Sequence, residues 1–406
     1  MSTKISYLDN NGTTWMTEDV KCAMFNFCNM GNPSSTYSTA KSCQNLIENF
    51  KRKIAAHCGF SLDDFEIILT SGASEANSTI IRSIVDATER KKTPHIIASA
   101  VEHKSILNCL ENLASQDRIE YTLISVDVEG RIDVENVKAK IKANTTLITI
   151  MGVNNELGTI NNISEIGAVA HEHGVPFHSD IVQQFAKGKF EPGNNIDAFS
   201  VSFHKFFGPP GVGMLVIRKK LINEYRLRSI IDGNQNSGLR GGTENMPAIS
   251  GADACFTLNF KNRENKNAKL RALRLHMLQG LKHNFNCLTF KSYKAGQSLV
   301  SGGNIIILSP LQNVSPNVLL LAYVNTNRPD ICNAVIKKIM EKNGVIIAIG
   351  SACNTSLKKA SHVLYALGVN DVIKKNTIRV SWCDYTKVDD INRFLAVLVG
   401  INKHSG

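Results

Sequence analysis

Glu66-Ile67-Ile68-Leu69-Thr70-Ser71-Gly72-Ala73-Ser74-Glu75 runs from an apolar, β-rich stretch through a small-residue turn into a helical segment that reads from Ser74 to Glu89. A short β-branched run, a glycine turn and then helical periodicity mark a strand feeding a helix. The unit recurs along the chain. His95 to Ala98 reads as a strand, His103 to Leu113 as a helix and Ile119 to Val126 as a strand. Thr146 to Met151, Ile163 to His173 and Val175 to Ser179 repeat the pattern, and the apolar runs Ala198 to Phe203 and Gly213 to Ile217 follow. This alternation predicts an α/β fold with a mainly parallel central sheet flanked by helices, its ligands at the carboxyl ends of the strands.

Further along, Asn245 to Leu281 reads as long helices leading out of the sheet. Gly303 to Leu308, Val345 to Ile349 and Thr377 to Ser381 read as strands, with helices near Asp330 to Asn343 and Ser361 to Leu367. A smaller α+β domain beginning near residue 260 fits this pattern. The 406 residues are 43% hydrophobic and 20% charged, enough for a sizeable core in one large and one small domain. A net charge of +11 suits an acidic or phosphorylated ligand. The basic residues, however, form only short clusters such as Lys51-Arg52-Lys53, so nucleic acid is not an expected partner. None of the ten cysteines forms a C-x-x-C pair, which argues against a zinc ribbon or a dithiol redox motif and for no metal. With no signal-peptide pattern at the start and no apolar run of membrane-spanning length, the expectation is a cytoplasmic protein with reduced thiols and no membrane partner.

Three strand ends carry chemistry. The turn at Ser71 to Glu75 lets backbone N–H groups approach an anion at a helix N-terminus, although Ser74 alone would be an ordinary N-cap. Asp180 follows the strand Val175 to Ser179, with Gln183 three residues on; such an acid could cap a helix, bind a metal or pair with a protonated ring nitrogen. Lys205 closes another apolar run, beside Ser202 and His204, where a surface lysine is the ordinary reading. Together, an anion cradle, an acid and a lysine at strand ends are what pyridoxal 5'-phosphate requires: a phosphate nest, a partner for the pyridinium nitrogen and an amine for the aldehyde.

At this point a resemblance becomes specific. From Tyr7-Leu8-Asp9-Asn10-Asn11-Gly12-Thr13-Thr14 to Ile378-Arg379-Val380-Ser381 the chain resembles cysteine desulfurases of the NifS/IscS type, in the class V aminotransferase group of fold-type I pyridoxal phosphate enzymes. Between these ends lie Gly31-Asn32-Pro33-Ser34-Ser35, Ser71-Gly72-Ala73-Ser74-Glu75, Glu102-His103-Lys104, Asn154-Asn155-Glu156-Leu157-Gly158 and His178-Ser179-Asp180 with Gln183. Ser202-Phe203-His204-Lys205, Arg240-Gly241-Gly242-Thr243-Glu244-Asn245 and Gly350-Ser351-Ala352-Cys353 complete the set.

The resemblance implies roles for individual residues. Lys205 would anchor the cofactor and shuttle protons; Asp180 would pair with the ring nitrogen and Gln183 with the ring hydroxyl. His103 would stack on the ring and act in acid–base steps. Ala73, Ser74, Ser202 and His204 would hold the phosphate, and Thr243 would reach that of a neighbouring subunit, which implies a homodimer with shared active sites. Asn155, Arg379 and Asn10 would orient the substrate, L-cysteine, with Arg379 forking its carboxylate. The division implied is a large cofactor-binding domain over residues 15–259, and a small domain from residues 1–14 and 260–406 that carries the catalytic cysteine.

Cys353 decides the reaction type. Most lone cysteines are small buried hydrophobes, but this one lies between Gly350-Ser351-Ala352 and Asn354-Thr355-Ser356, a small, polar stretch suited to an exposed loop, and at the family's nucleophile position. Its thiolate would take the sulfur of L-cysteine as a persulfide and leave L-alanine, with His103 as the candidate activating base. The expected use is sulfur supply, to an iron–sulfur scaffold or another acceptor protein. Three positions depart from the family pattern. Ile181 replaces an alanine and is expected to touch the cofactor, Phe203 replaces a small residue, and Asn236 stands in place of glutamate. Since little follows Leu398-Val399-Gly400, the C-terminal extension that some relatives use to dock a scaffold is expected to be short or absent. The alternatives are selenocysteine lyase or another class V reaction, or a non-catalytic NifS-like binding protein.

Overall fold

A computed structural model describes residues 5–88, 93–185, 187–188, 190–261, 263–349 and 361–403. Its larger sheet has seven strands: β1 (Phe65–Thr70), β2 (His95–Ser99), β3 (Glu120–Ile124), β4 (Thr145–Thr149), β5 (Phe177–Asp180), β6 (Ala198–Ser202) and β7 (Gly213–Arg218). They lie side by side in the order β1-β7-β6-β5-β4-β2-β3. The α/β expectation holds, with one refinement. β7 runs antiparallel to both β6 and β1, whereas the pairs from β6 through β5, β4 and β2 to β3 are parallel. The physical reason is connection length: the link from Ser202 to Gly213 is too short for a crossover and can only reverse the chain.

Side-chain alternation assigns the two faces of the sheet. Ile67 and Leu69 of β1, with Met214 and Val216 of β7, enter a core with Phe50, Ile54, Ile163 and Ile166. Ile68, Leu215 and Ile217 point the other way and pack with Ile80, Ile84, Ile106 and Leu110. The second core is covered by α1 (Ala73–Ala87) and α2 (Lys104–Ala114). In α2 the buried residues Ile106, Cys109, Leu110 and Leu113 follow the spacing of one helical face.

Five strands form the second sheet: β8 (Asn286–Thr289), β9 (Gly303–Ile307), β10 (Val318–Asn325), β11 (Ala348–Ile349) and β12 (Thr377–Ser381), in the order β11-β12-β10-β9-β8. β10 is buried along its whole length, and the sequence reading missed it because a continuous apolar run has no period to identify it. The expected strand Val345 to Ile349 is split. Val345–Ile346 pairs with Ser6–Tyr7, and β11 pairs with β12. Those pairings, and a bridge between Asp9 and Ser381, bring the N-terminal segment onto the second sheet. Val101 and Leu157, from connections of the first sheet, pack with Ile306, Leu308 and Leu320 of the second. Among the described residues, no helix is long and apolar enough to cross a membrane.

One close approach positions the turn at Ser71 to Glu75. A Cβ built on Gly213 would lie 2.5 Å from the Gly72 Cα and 2.6 Å from the Val201 carbonyl oxygen. Gly213→Ala must therefore push β7 away from that turn, with an expected loss of about 1–3 kcal/mol in urea unfolding. An unchanged unfolding midpoint would contradict the packing described.

Candidate active site

The carboxyl ends of β1, β5 and β6 open onto a cleft of about 520 Å³. Asn11, Gly12, Ser71 to Glu75, His103, Asn155, Asp180, Gln183, Ser202, His204, Lys205 and Arg379 line it. Ala73, Ser74, His103, Asn155, Asp180, Gln183, Ser202, His204, Lys205 and Arg379, predicted from sequence, are thus brought together. Two others are not. The Asn10 side-chain amide donates to the carbonyls of Tyr7 (3.1 Å) and Ser381 (3.2 Å), and its neighbour Asn11 faces the cleft instead. Thr243 is exposed and does not line this chain's cleft. Cys353 lies outside the described residues.

The structure corrects one expectation about the departures from pattern. Ile181 does not line the cleft. It is fully buried in the core on the opposite side, while Val182 faces the cavity. Strand geometry explains this, because residues next to Asp180 alternate in direction. Phe203 likewise packs away from the cleft, its ring 5.5 Å from Phe50 and 5.3 Å from Phe206. Asn236 accepts a hydrogen bond from the Leu69 N–H (3.3 Å) and donates to the Arg240 carbonyl (3.2 Å), bracing the end of β1.

The lysine comes first. Lys205 follows β6 on a single 3-10 turn, and its Nζ donates to the carbonyls of Asn11 (3.0 Å) and Gly12 (2.6 Å). Burial pulls its pKa down from 10.5 to about 8, and the Arg379 cation adds to the effect against Asp9 and Asp180. His204 accompanies it, lowered to about 4 by burial and by the Lys205 charge, so it is a neutral imidazole at pH 7.

Asp180 ends β5 with both carboxylate oxygens engaged: Oδ2 accepts from Asn77 Nδ2 (2.9 Å) and Oδ1 from the Val182 N–H (3.0 Å). Asn77 also reaches Ser105 Oγ (3.0 Å), and that hydroxyl lies 2.8 Å from His103 Nδ1. The Ser105 N–H donates to His103 Nδ1 (3.2 Å), so neutral His103 carries its proton on Nε2. Burial lowers the His103 pKa; the Asp180 charge opposes that shift and Lys205 reinforces it.

At the turn after β1, the first bond within α1 runs from the Ala76 N–H to the Gly72 carbonyl, which leaves the earlier amides of the helix without helical partners. Glu75 ties the turn down by accepting from the Ser71 N–H (2.8 Å) and pairing with Arg240 (2.9 Å). The amides and the nearby lysine suit a phosphate group. Across the cleft, Arg379 Nη2 is bound to Asp9 Oδ1 at 2.7 Å, and its Nε is buried without a partner. A bidentate grip on a carboxylate would therefore require Asp9 to share Nη2.

Sequence reasoning missed four groups here. Asn77 orients Asp180 from a fully buried position on α1. Asn11 and Lys187 form a network with Gln183. Fully buried Glu102 is raised to about 8 by desolvation, so at pH 7 it is a neutral acid between Ser99 Oγ (2.6 Å) and the Met151 N–H (2.9 Å). A buried polar residue inside an apolar helix face is the one signal that could have found Asn77.

The lowered Lys205 pKa has a measurable sign. Burial penalises the protonated amine, so the reactive neutral form appears as pH rises through about 8, not near 10.5. Reductive methylation of Lys205, followed by peptide mass spectrometry, should rise with a midpoint near pH 8. A midpoint above 10 would contradict the burial described.

The model of the family described as aminotransferase class-V matches residues 6–301. A curated relative from Methanosarcina thermophila, named cysteine desulfurase IscS, is 33% identical over 97% of this chain and 91% of its own length. A cysteine desulfurase from Gluconacetobacter diazotrophicus is 32% identical over 97% of this chain and 92% of its own. Among solved structures, a NifS-like protein superposes with a TM-score of 0.84 at 27% identity, covering 98% of this chain and all of that one. The structure of SspA in complex with cysteine gives 0.75 at 28% identity, covering 94% and 99%. With the family model covering most of its length and relatives above 30% identity spanning nearly all of it, the chain belongs to the class-V aminotransferase family and groups there with the cysteine desulfurases.

Proposed function

We propose that the cleft holds pyridoxal 5'-phosphate and that the protein removes sulfur from L-cysteine, leaving L-alanine and a persulfide on Cys353. The observation that carries this reading is one cleft joining a half-buried lysine of lowered pKa, a strand-end carboxylate with N–H donors on both oxygens and a helix-start anion turn. The residues fit the group: free amides at the start of α1 would suit its phosphate, and the Asp180 carboxylate, which lines the same cleft, a protonated ring nitrogen. When bound, the cofactor supplies an electron-poor ring that draws electron density from the substrate's α-carbon.

The chain's own residues do the rest. Lys205 is the amine that would hold the cofactor aldehyde and move the proton at the substrate's α-carbon. Asp180 would keep the ring nitrogen protonated. His103, which lines the cleft with its proton on Nε2, would lie against the ring. Arg379 receives the substrate carboxylate against Asp9. Cys353 is assigned as the sulfur acceptor from its sequence position. The described chain leaves for its segment at Ile349, paired with Ile378 beside Arg379. It returns at Ser361, whose hydroxyl donates to Glu156 (2.7 Å), next to Asn155. The Cys353 thiolate bonds to the substrate sulfur as the C–S bond breaks. The bonding pair stays with carbon, which takes a proton, so the products are alanine and the persulfide. We further propose a homodimer in which Thr243 completes the partner's phosphate site, a cytoplasmic location, and onward transfer of sulfur to an acceptor protein.

The purified protein should bind pyridoxal 5'-phosphate with a visible absorption band that Lys205→Ala abolishes. Cys353→Ser should keep the band and cut sulfide release from L-cysteine by about 100-fold or more, as expected for loss of a nucleophile. A colourless protein that cannot be loaded would defeat the cofactor assignment, and unimpaired sulfide release from the serine variant would defeat that of Cys353.

A further inference from the structure

Close to Lys205 lies a second lysine that none of the roles above uses. Lys187 Nζ donates to Gln183 Oε1 (2.6 Å) and to Asn11 Oδ1 (3.0 Å). An ammonium facing two amides can only meet their oxygens in this way, since it has donors and no acceptor to offer. The contact therefore decides which way round each amide sits.

For Gln183 the consequence is direct. With Oε1 taken by Lys187, Nε2 is left to donate, one hydrogen going to the Asn11 carbonyl (3.3 Å) and the other remaining for the cleft that Gln183 lines. Asn11 obeys the same constraint. Its Oδ1 accepts from Lys187 and from Asn317 Nδ2 (2.9 Å), so its own Nδ2 donates to the Asn155 carbonyl (3.1 Å). Asn317 is fixed in turn, accepting from Ser315 Oγ (2.7 Å) and donating to the Trp382 carbonyl (3.3 Å). The hydrogen bonds converge on Asn11 Oδ1, from Asn317 on the side of the second sheet and from Lys187 on the side of Gln183, and every amide orientation in them agrees.

We propose that Lys187 is a positioning residue that locks Gln183 with its N–H toward the cofactor's ring oxygen, a role resting on the cofactor assignment above. Burial, with the Lys205 and Arg379 charges nearby, lowers the Lys187 pKa to about 7. The role survives that shift, because a neutral amine still has two N–H bonds and two acceptors to fill. Cys383, whose thiolate form would raise the Lys187 pKa, completes the titratable surroundings together with Lys205 and Arg379.

A donor on the ring oxygen weakens that oxygen's hold on the proton of the nitrogen joining Lys205 to the cofactor. Loss of the donor should raise the pH at which the visible band changes. The test is a spectroscopic titration of protein loaded with pyridoxal 5'-phosphate. Lys187→Met should raise the midpoint by about 1 pH unit, the size of one lost hydrogen bond to a charged group. Lys187→Arg, which keeps donors, should stay near the unmodified value. In a Gln183→Ala background Lys187→Met should add nothing, because the route through Gln183 is already gone. Lys187→Leu, equally without a donor, takes its place in the cycle if the methionine variant does not fold. An unmoved midpoint, an arginine variant that shifts as far as methionine, or equal shifts in both backgrounds would overturn the role, the last by showing a bare charge effect. Unmodified protein that takes up no cofactor would overturn the cofactor assignment itself, and this role with it.

Discussion

Asn11 is the residue through which both halves of the cleft are held. Its backbone carbonyl accepts from Lys205 (3.0 Å) and Gln183 (3.3 Å), and its N–H donates to Ser381 Oγ (2.9 Å). Its side chain joins Lys187, Asn317 and the Asn155 carbonyl. The first sheet supplies Gln183 and Lys205, and the second supplies Ser381 and Asn317. A buried polar network of this kind is stabilising only when every member is paired, and truncating one member leaves several others exposed to the full cost of desolvation. The registration of the two sheets across the cleft therefore depends on a segment of a few residues near the N-terminus.

Charge is the second constraint. Lys187, Lys205 and Arg379 gather around the cleft, against the carboxylates of Asp9 and Asp180. Burying like charges lowers the lysine pKa values and opposes folding. A dianionic phosphate and a carboxylate would offset that cost, so the same cluster favours an anionic ligand. The overall excess of basic residues then has a local expression as well as a surface one.

Much of this was legible in the sequence, and the limits of legibility have physical causes. Strand-to-helix alternation is local, so β1 to β7 and the turn at Ser71 to Glu75 could be read from spacing. β10 could not, because Val318 to Asn325 is buried on both faces and loses its period. Lys205 and Asp180 stand at strand ends, where a periodic pattern stops, and so drew notice. Lys187 and Asn11 stand in irregular segments, and their partners are up to 306 residues away, in the case of Asn317. Ile181 looked like a cofactor neighbour by sequence distance, but the alternation that continues past Asp180 sends it into the opposite core.

Two lysines of lowered pKa near one cleft make the central assignment open to a single direct measurement. Protein loaded with pyridoxal 5'-phosphate is reduced with borohydride, digested and mapped by mass spectrometry. Lys205 lines the cleft at the end of β6, whereas Lys187 stands outside that lining and binds Gln183 and Asn11. The account predicts a pyridoxyl label on the Lys205 peptide alone. A label on Lys187, or on lysines scattered over the surface, would contradict it.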